Sequence, residues 1–355
     1  MVTALAFLII LSVLVLVHEG GHFLAARRAG ILVEEFGFGL PPRIWGKKIG
    51  ETIYSINALP FGGFVRLYGE EKVVGRNKER AFSNKSQKVR IKILLSGVMM
   101  NLLLGTLFFC LVYSFLGIPE KVDRVKVRAV LENSPSQEVG LREGDIIDKF
   151  DGQKVRDNKT FVDLTNQSLG KQVVLDIIRE GEEERLSVVV TPRVSPPQDE
   201  GPLGVVISDT EIKFYPIYQM VPKAIYSGFL EAFYWIKEIS TSLAKLTVSV
   251  MTGRGTMGMD VAGPVGIYQI TGEVVKAGGW ALIQMAGILS VNLAVLNIIP
   301  FPALDGGRVA FVLLERFLGE RRREKIEIWA NRVGMAILLA LILLVTMNDI
   351  KRIKG

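Results

Sequence analysis

The chain has 355 residues, 49% of them hydrophobic, and a positive mean hydropathy. That composition excludes an ordinary soluble enzyme, and the single cysteine, Cys110, excludes a disulfide framework. The net charge of +7 comes without the interleaved aromatic residues of a nucleic-acid surface, so the expected partners are a lipid bilayer and proteins within it, not nucleic acid.

Residues 2–26 form the first of four apolar runs close to the ~20 residues a helix needs to cross a bilayer. The others are 93–117, 280–301 and 333–348. The first lacks the basic start and small-residue cleavage site of a signal peptide, so it reads as a retained span. Both histidines of the chain lie in it, in His18-Glu19-Gly20-Gly21-His22. On a helix, HExxH sets two imidazoles at i and i+4 on one face, the spacing for two zinc ligands. The glutamate between them is placed to act as general base on water. Ionisable groups in hydrocarbon are costly and functional by default. Gly20 and Gly21 read as packing residues without a chemical role, and Glu34 and Glu35 as solvated surface charges.

Residues 28–92 read as a membrane-associated β-hairpin region on the cytoplasmic side. Gly37-Phe38-Gly39, Pro41-Pro42 and Pro60-Phe61-Gly62-Gly63 punctuate short β-rich runs, and 52–57 with 64–67 predict a hairpin across the Pro-Gly-Gly turn. Residues 69–92 read as a charged connector, followed by the second span at 93–117. From 27 to 92 there are 14 Lys and Arg against 6 Asp and Glu; from 117 to 210 there are 13 against 18. The positive-inside rule puts the first segment in the cytoplasm and the second outside, with both termini outside.

Residues 118–208 are charged and strongly β-patterned, with strands expected at 173–178, 186–190 and 202–207. Residues 209–279 hold an amphipathic helix, 222–251, whose Ile225, Phe229, Phe233, Ile236 and Leu243 suit a packing face, and a loop from 252 to 266. The third segment, 280–307, ends in Asn297-Ile298-Ile299-Pro300-Phe301-Pro302-Ala303-Leu304-Asp305-Gly306-Gly307. His18 lies roughly 25 Å along its helix from the outer end, which brings it to the depth of Asp305. A catalytic zinc takes three protein ligands, so Asp305 can complete the set begun by His18 and His22. Pro300 and Pro302 break the helix there, and irregular backbone at membrane depth marks a cavity. A basic cytoplasmic loop, 308–332, and a fourth span, 333–350, close the chain. The expected fold is a polytopic α-helical membrane protein of about four transmembrane helices, with the β-hairpin region and an inserted extracytoplasmic α+β domain.

Ser134-Pro135, Gly140-Leu141-Arg142-Glu143-Gly144-Asp145-Ile146-Ile147 and Phe150-Asp151-Gly152 resemble a PDZ domain. HEGGH, PFGGFVRL at 60–67, the PDZ-like insert, AGPVGI at 262–267 and NIIPFPALDGG at 297–307 together resemble the site-2 protease family, in particular its bacterial RseP-like branch. The resemblance implies an intramembrane zinc endopeptidase of the bacterial inner membrane. Its substrates would be single-pass membrane proteins such as anti-sigma factors or remnant signal peptides. It implies zinc on His18, His22 and Asp305, water activation by Glu19, and an unwound substrate held by Asn297 and by strand addition to the 52–67 hairpin. The PDZ domain would contact peptides or exclude bulky substrates. Two departures stand out: one PDZ domain where tandem ones are common, and Ser96-Gly97-Val98 where Ala-Gly-Pro commonly precedes Asn101. Two other classes compete. An idle PDZ-bearing scaffold predicts no effect of Glu19→Gln, and a metal transporter predicts more polar residues along the second and fourth spans.

Overall fold

The computed structural model describes residues 1–70, 77–179, 185–197, 200–252 and 263–354, and most of the expected 252–266 loop lies outside them. The chain divides into two compact units, residues 1–115 with 221–355, and residues 116–220.

In the first unit, α1 (Val2–Arg28) carries HExxH and ends on Arg27 and Arg28, cations that suit the negative end of the helix dipole. A hairpin follows, β1 (Val33–Ile49) and β2 (Thr52–Leu67), turning at Gly50 and Glu51. This corrects the expected turn at Pro60–Gly63: that segment lies inside β2, as Gly37–Gly39 and Pro41-Pro42 lie inside β1. Gly39 and Gly62 adopt positive φ, so the chain bends at these points without leaving the ladder. Glu35 to Phe38 pair on one side with Gly63 to Arg66 and on the other with Ile53 to Ile56, so that the hairpin folds back on itself. Glu35 is not a solvated charge. It is buried, accepts from Arg43 at 2.6 Å and from Ser55 Oγ at 2.7 Å, and lies 3.5 Å from Arg66, tying these segments together.

The second span, α2 (Gln87–Leu116), starts earlier than the apolar run because Arg90 is buried on a partner, Glu315, at 2.8 Å. The connector before it is docked: Phe82 N–H donates to the Tyr68 carbonyl at 2.8 Å. Phe82 joins Ala26, Ile31, Val33, Leu67, Ile93, Leu94 and Val312 in a core beneath the sheet. Each of these side chains except Ala26 contributes about 1.5–3 kcal/mol on full burial.

The helix α5 (Ile217–Met251) lays Ala232, Trp235, Ile236 and Ile239 against Phe109, Val291 and Val295. Ile225, Phe229 and Phe233, expected to pack, are exposed instead. The packing face also takes in Gly228, where an added Cβ would strike Cys110. After α6 (Pro264–Ala277) and the third span, α7 (Gly279–Ile298), come α8 (Asp305–Leu318) and α9 (Glu320–Lys354). The basic stretch 308–332, expected as a loop, is therefore mostly helical. Arg, Lys, Glu and Leu are good helix formers, and Arg323 pairs with Glu327 four residues on at 2.5 Å. Among the described residues four helices are long and apolar enough to cross a bilayer, at 2–28, 87–116, 279–298 and 325–351, and the protein is a multi-pass membrane protein.

The described residues of the unit 116–220 form a six-stranded antiparallel sheet with two helices, α3 (Pro135–Glu138) and α4 (Asn158–Gln167). β3 (Ile118–Val130), β4 (Ile146–Phe150), β5 (Gln153–Lys154), β6 (Val173–Ile178), β7 (Leu186–Val190) and β8 (Val205–Lys213) stand in the order β7-β6-β4-β3-β8, with β5 on β4. The closing strand is β8, which runs beyond the expected 202–207 because its outer half pairs with the start of β3, Lys213 opposite Ile118. The Gly-Asp turn has a physical cause. Gly144 takes φ +96°, and buried Asp145 accepts from Arg142 N–H and from Arg179, each at 2.8 Å.

Candidate metal centre

One helical turn separates His18 from His22, and both rings are buried. Their Nε2 atoms lie 3.3 Å apart and face the same carboxylate oxygen, Asp305 Oδ2, at 3.0 Å from His18 and 3.2 Å from His22.

The path of the chain explains how a residue so distant in sequence arrives there. Proline cannot continue α7, and Ile299 turns extended before two tight turns, Phe301 N–H to the Ile299 carbonyl and Leu304 N–H to that of Phe301. Ala303 takes φ +76°, held by its N–H on Asn331 Oδ1 at 3.0 Å. Asp305 then opens α8 in its first turn. Gly306 and Gly307 follow because any Cβ there would run into the carbonyls of Ile298 and Phe301. The Asp-Gly-Gly sequence thus lets a new helix start against the backbone that the prolines freed.

Asp305 Oδ2 is buried and receives no hydrogen bond, an orphaned anionic oxygen beside two imidazole nitrogens. A tetrahedral ion with bonds of about 2.0–2.1 Å sets its ligand atoms about 3.3–3.4 Å apart. The three separations are 3.0, 3.2 and 3.3 Å, so this donor set fits a zinc ion.

A cavity of about 250 Å³ opens beside these atoms, lined by Val15, Glu19, Asn101, Leu293, Asn297 and Leu304 as well as His18 and Asp305. The fold thus brings together all five residues singled out in the sequence: Glu19, Asn297, His18 and Asp305 line the cavity, and His22 meets His18 and Asp305 beside it. β2 passes close by, since a Cβ at Gly63 would lie 3.4 Å from Glu19 Cγ.

Sequence reasoning missed the contribution of α2. A Cβ at Gly97 would strike His22 Nε2 and lie 2.7 Å from His18 Cε1; one at Gly21 would strike the Ser96 carbonyl. These two glycines let α1 and α2 cross with the imidazoles between them, whereas a Cβ at Gly20 meets nothing. The Ser96-Gly97-Val98 departure leaves α2 unbroken, and its Ile93 carbonyl lies 2.8 Å from His22 Nδ1. The available signal was a glycine and an asparagine spaced four apart in an apolar run.

Peptidase family M50 matches residues 6–341. A protein of Clostridium perfringens provisionally named a zinc metalloprotease is 35% identical over 345 residues, 97% of either chain. The regulator of sigma-W protease RasP of Bacillus subtilis is 30% identical over 430 aligned positions, covering 99% of each chain. The zinc metalloprotease RasP of Geobacillus kaustophilus is 29% identical, covering 98% of this chain and 97% of its own.

Proposed function

The chain belongs to peptidase family M50, the site-2 proteases, and is a zinc metalloendopeptidase; on that premise we propose that His18, His22 and Asp305 hold its zinc, that Glu19 is its general base, and that it cuts single-pass membrane proteins within or beside their spans. The observation that carries this reading is the convergence of two Nε2 atoms and one orphaned carboxylate oxygen within 3.3 Å of one another, beside a cavity that Glu19 lines.

When bound, zinc polarises a peptide carbonyl and lowers the pKa of water to about 7. Glu19 takes the proton of the attacking water and passes it to the leaving amine, work that typically contributes 10²–10⁴-fold in rate. Leu293 and Val15 limit water in the cavity, and Asn297 offers an amide to a substrate strand. A helical substrate must unwind to present a bond, and its freed backbone groups then need partners. Strand addition supplies them, though not along Ile53–Ile56, where pairing with both 35–38 and 45–48 leaves no free edge. The segment Phe64–Leu67 pairs on one edge only and adjoins the strand turn beside Glu19, so the substrate strand belongs there.

The 116–220 unit is read as a single PDZ domain on the extracytoplasmic side, where it restricts substrates with bulky outer domains. Its Gly-Asp turn and five-stranded antiparallel path support the fold, and the charge difference between 27–92 and 117–210 supports the side. The membrane is the bacterial inner membrane, with the metal centre toward the cytoplasm.

Purified Glu19→Gln should keep its zinc and lose at least ~10²-fold in cleavage of a reconstituted single-span substrate. Full activity in that variant, with zinc bound, would refute the assignment of the base.

A further inference from the structure

His18 and His22 both turn Nε2 toward Asp305, so as ligands each must carry its remaining proton on Nδ1 and needs an acceptor there. For His22 the acceptor is the Ile93 carbonyl at 2.8 Å. For His18 the group at Nδ1 is the side-chain amide of Asn101, 3.4 Å away. Asn101 is fully buried, yet its Oδ1 has no hydrogen-bond partner. Nor is its side chain spent on holding helices together: Ser290 Oγ reaches across from α7 and donates to the Asn101 main-chain carbonyl at 2.8 Å, which secures the helix contact without the Asn101 side chain.

An amide is nearly symmetric in shape. A half-turn about its last bond exchanges Nδ2 and Oδ1 without changing the packing, and puts the unpaired acceptor on His18 Nδ1. We propose that Asn101 is a positioning residue for His18: its amide oxygen accepts the Nδ1 proton, fixes the ring's tautomer and direction, and so sets the affinity of the metal centre. The proposal rests on the reading of His18, His22 and Asp305 as zinc ligands. α2 then supplies the outer partner of both histidines, a carbonyl for one and a side chain for the other. Partners of this kind hold ring orientation and typically change metal affinity 10–100-fold when removed.

The test is zinc affinity of the full-length chain in detergent, by competition with a chromophoric chelator, for wild type, Asn101→Leu, Asn101→Asp and Ser290→Ala. Leucine keeps the branching at Cγ, with bulkier ends, and offers no acceptor, so its affinity should fall 10–100-fold. Aspartate keeps an acceptor in the same place and should stay within a few-fold of wild type. Ser290→Ala loosens the helix contact without touching Nδ1 and should bind zinc as wild type does. Thermal unfolding of the metal-free proteins checks that each variant is folded; if Asn101→Leu is not, Asn101→Ser, too short to reach Nδ1, takes its place. Undiminished affinity in the folded acceptor-free variant would overturn the proposal, as would equal losses in the leucine and aspartate variants or an equal loss in Ser290→Ala. A wild type that binds no zinc would instead overturn the ligand assignment on which the proposal stands.

Discussion

Replacing Gly97 by alanine places a methyl group between α2 and the two imidazoles. The new carbon would strike His22 Nε2 and lie 2.7 Å from His18 Cε1 and 2.9 Å from its Nδ1. Carbon atoms rest at about 3.5 Å, so the His18 ring is crowded by roughly 0.8 Å. The neighbours cannot all yield: His22 is held at Nδ1 by the Ile93 carbonyl, and both rings sit on one rigid helix. Overpacking of this kind costs about 1–3 kcal/mol. A displacement approaching 1 Å at reacting groups can cost 10²-fold in rate. Gly97→Ala is therefore expected to lose zinc affinity at least tenfold and cleavage on the order of a hundredfold. Gly20→Ala is the control, because a Cβ there meets nothing within 4 Å; it should retain both properties. The assay is zinc per chain after dialysis against a weak chelator, together with the cleavage rate in detergent. A Gly97→Ala protein with normal zinc and normal rate would refute the packing argument, as would equal losses in Gly20→Ala.

Two further predictions concern the contact of α2 with α8 and the inserted unit. The Arg90 guanidinium beside Glu315, at 2.8 Å, holds the Glu315 carboxyl below its ordinary value of about 4.3. A depressed pKa contributes stability above the ordinary value that is lost as pH falls through the folded-state value, so the contact of α2 with α8 should weaken on acidification below about pH 4.3. Glu315→Gln should flatten that part of the profile of thermal midpoint against pH, and identical profiles for the two proteins would contradict the sign or the cause. Excision of the inserted unit is best made between Ile118 and Lys213, which are cross-strand partners, so that a short linker rejoins the chain. The shortened protein should cut substrates whose outer domains are still intact, and unchanged selectivity would remove the size filter from the account.

The motifs of the proposed metal centre, HExxH and Leu-Asp-Gly-Gly, were legible in the sequence because each is a local pattern confined to one turn of backbone. Strands 173–178 and 186–190 were legible for the same reason: β-branched and aliphatic residues run together in consecutive positions. What failed depended on partners. The Pro-Gly-Gly at 60–63 carries every turn signal, yet Gly62 uses its positive φ to bend within β2, held by pairing with β1. Glu35 looked solvated until Arg43 and Ser55 arrived from later in the chain. The basic stretch after residue 307 looked like a loop because charge marks topology, while helix propensity decided its structure. Gly97 and Asn101 stood in plain view in an apolar run, but nothing local says that two histidines about eighty residues earlier lean on them.

The central claim is that two distant membrane segments make one metal centre. Elemental analysis of zinc per chain in purified wild type and in Asp305→Ala tests it directly. The account predicts about one zinc in the wild type and its loss or sharp reduction in the variant, since two imidazoles alone leave the set short of the three protein ligands a catalytic zinc takes. Full zinc occupancy in a folded Asp305→Ala protein would contradict it.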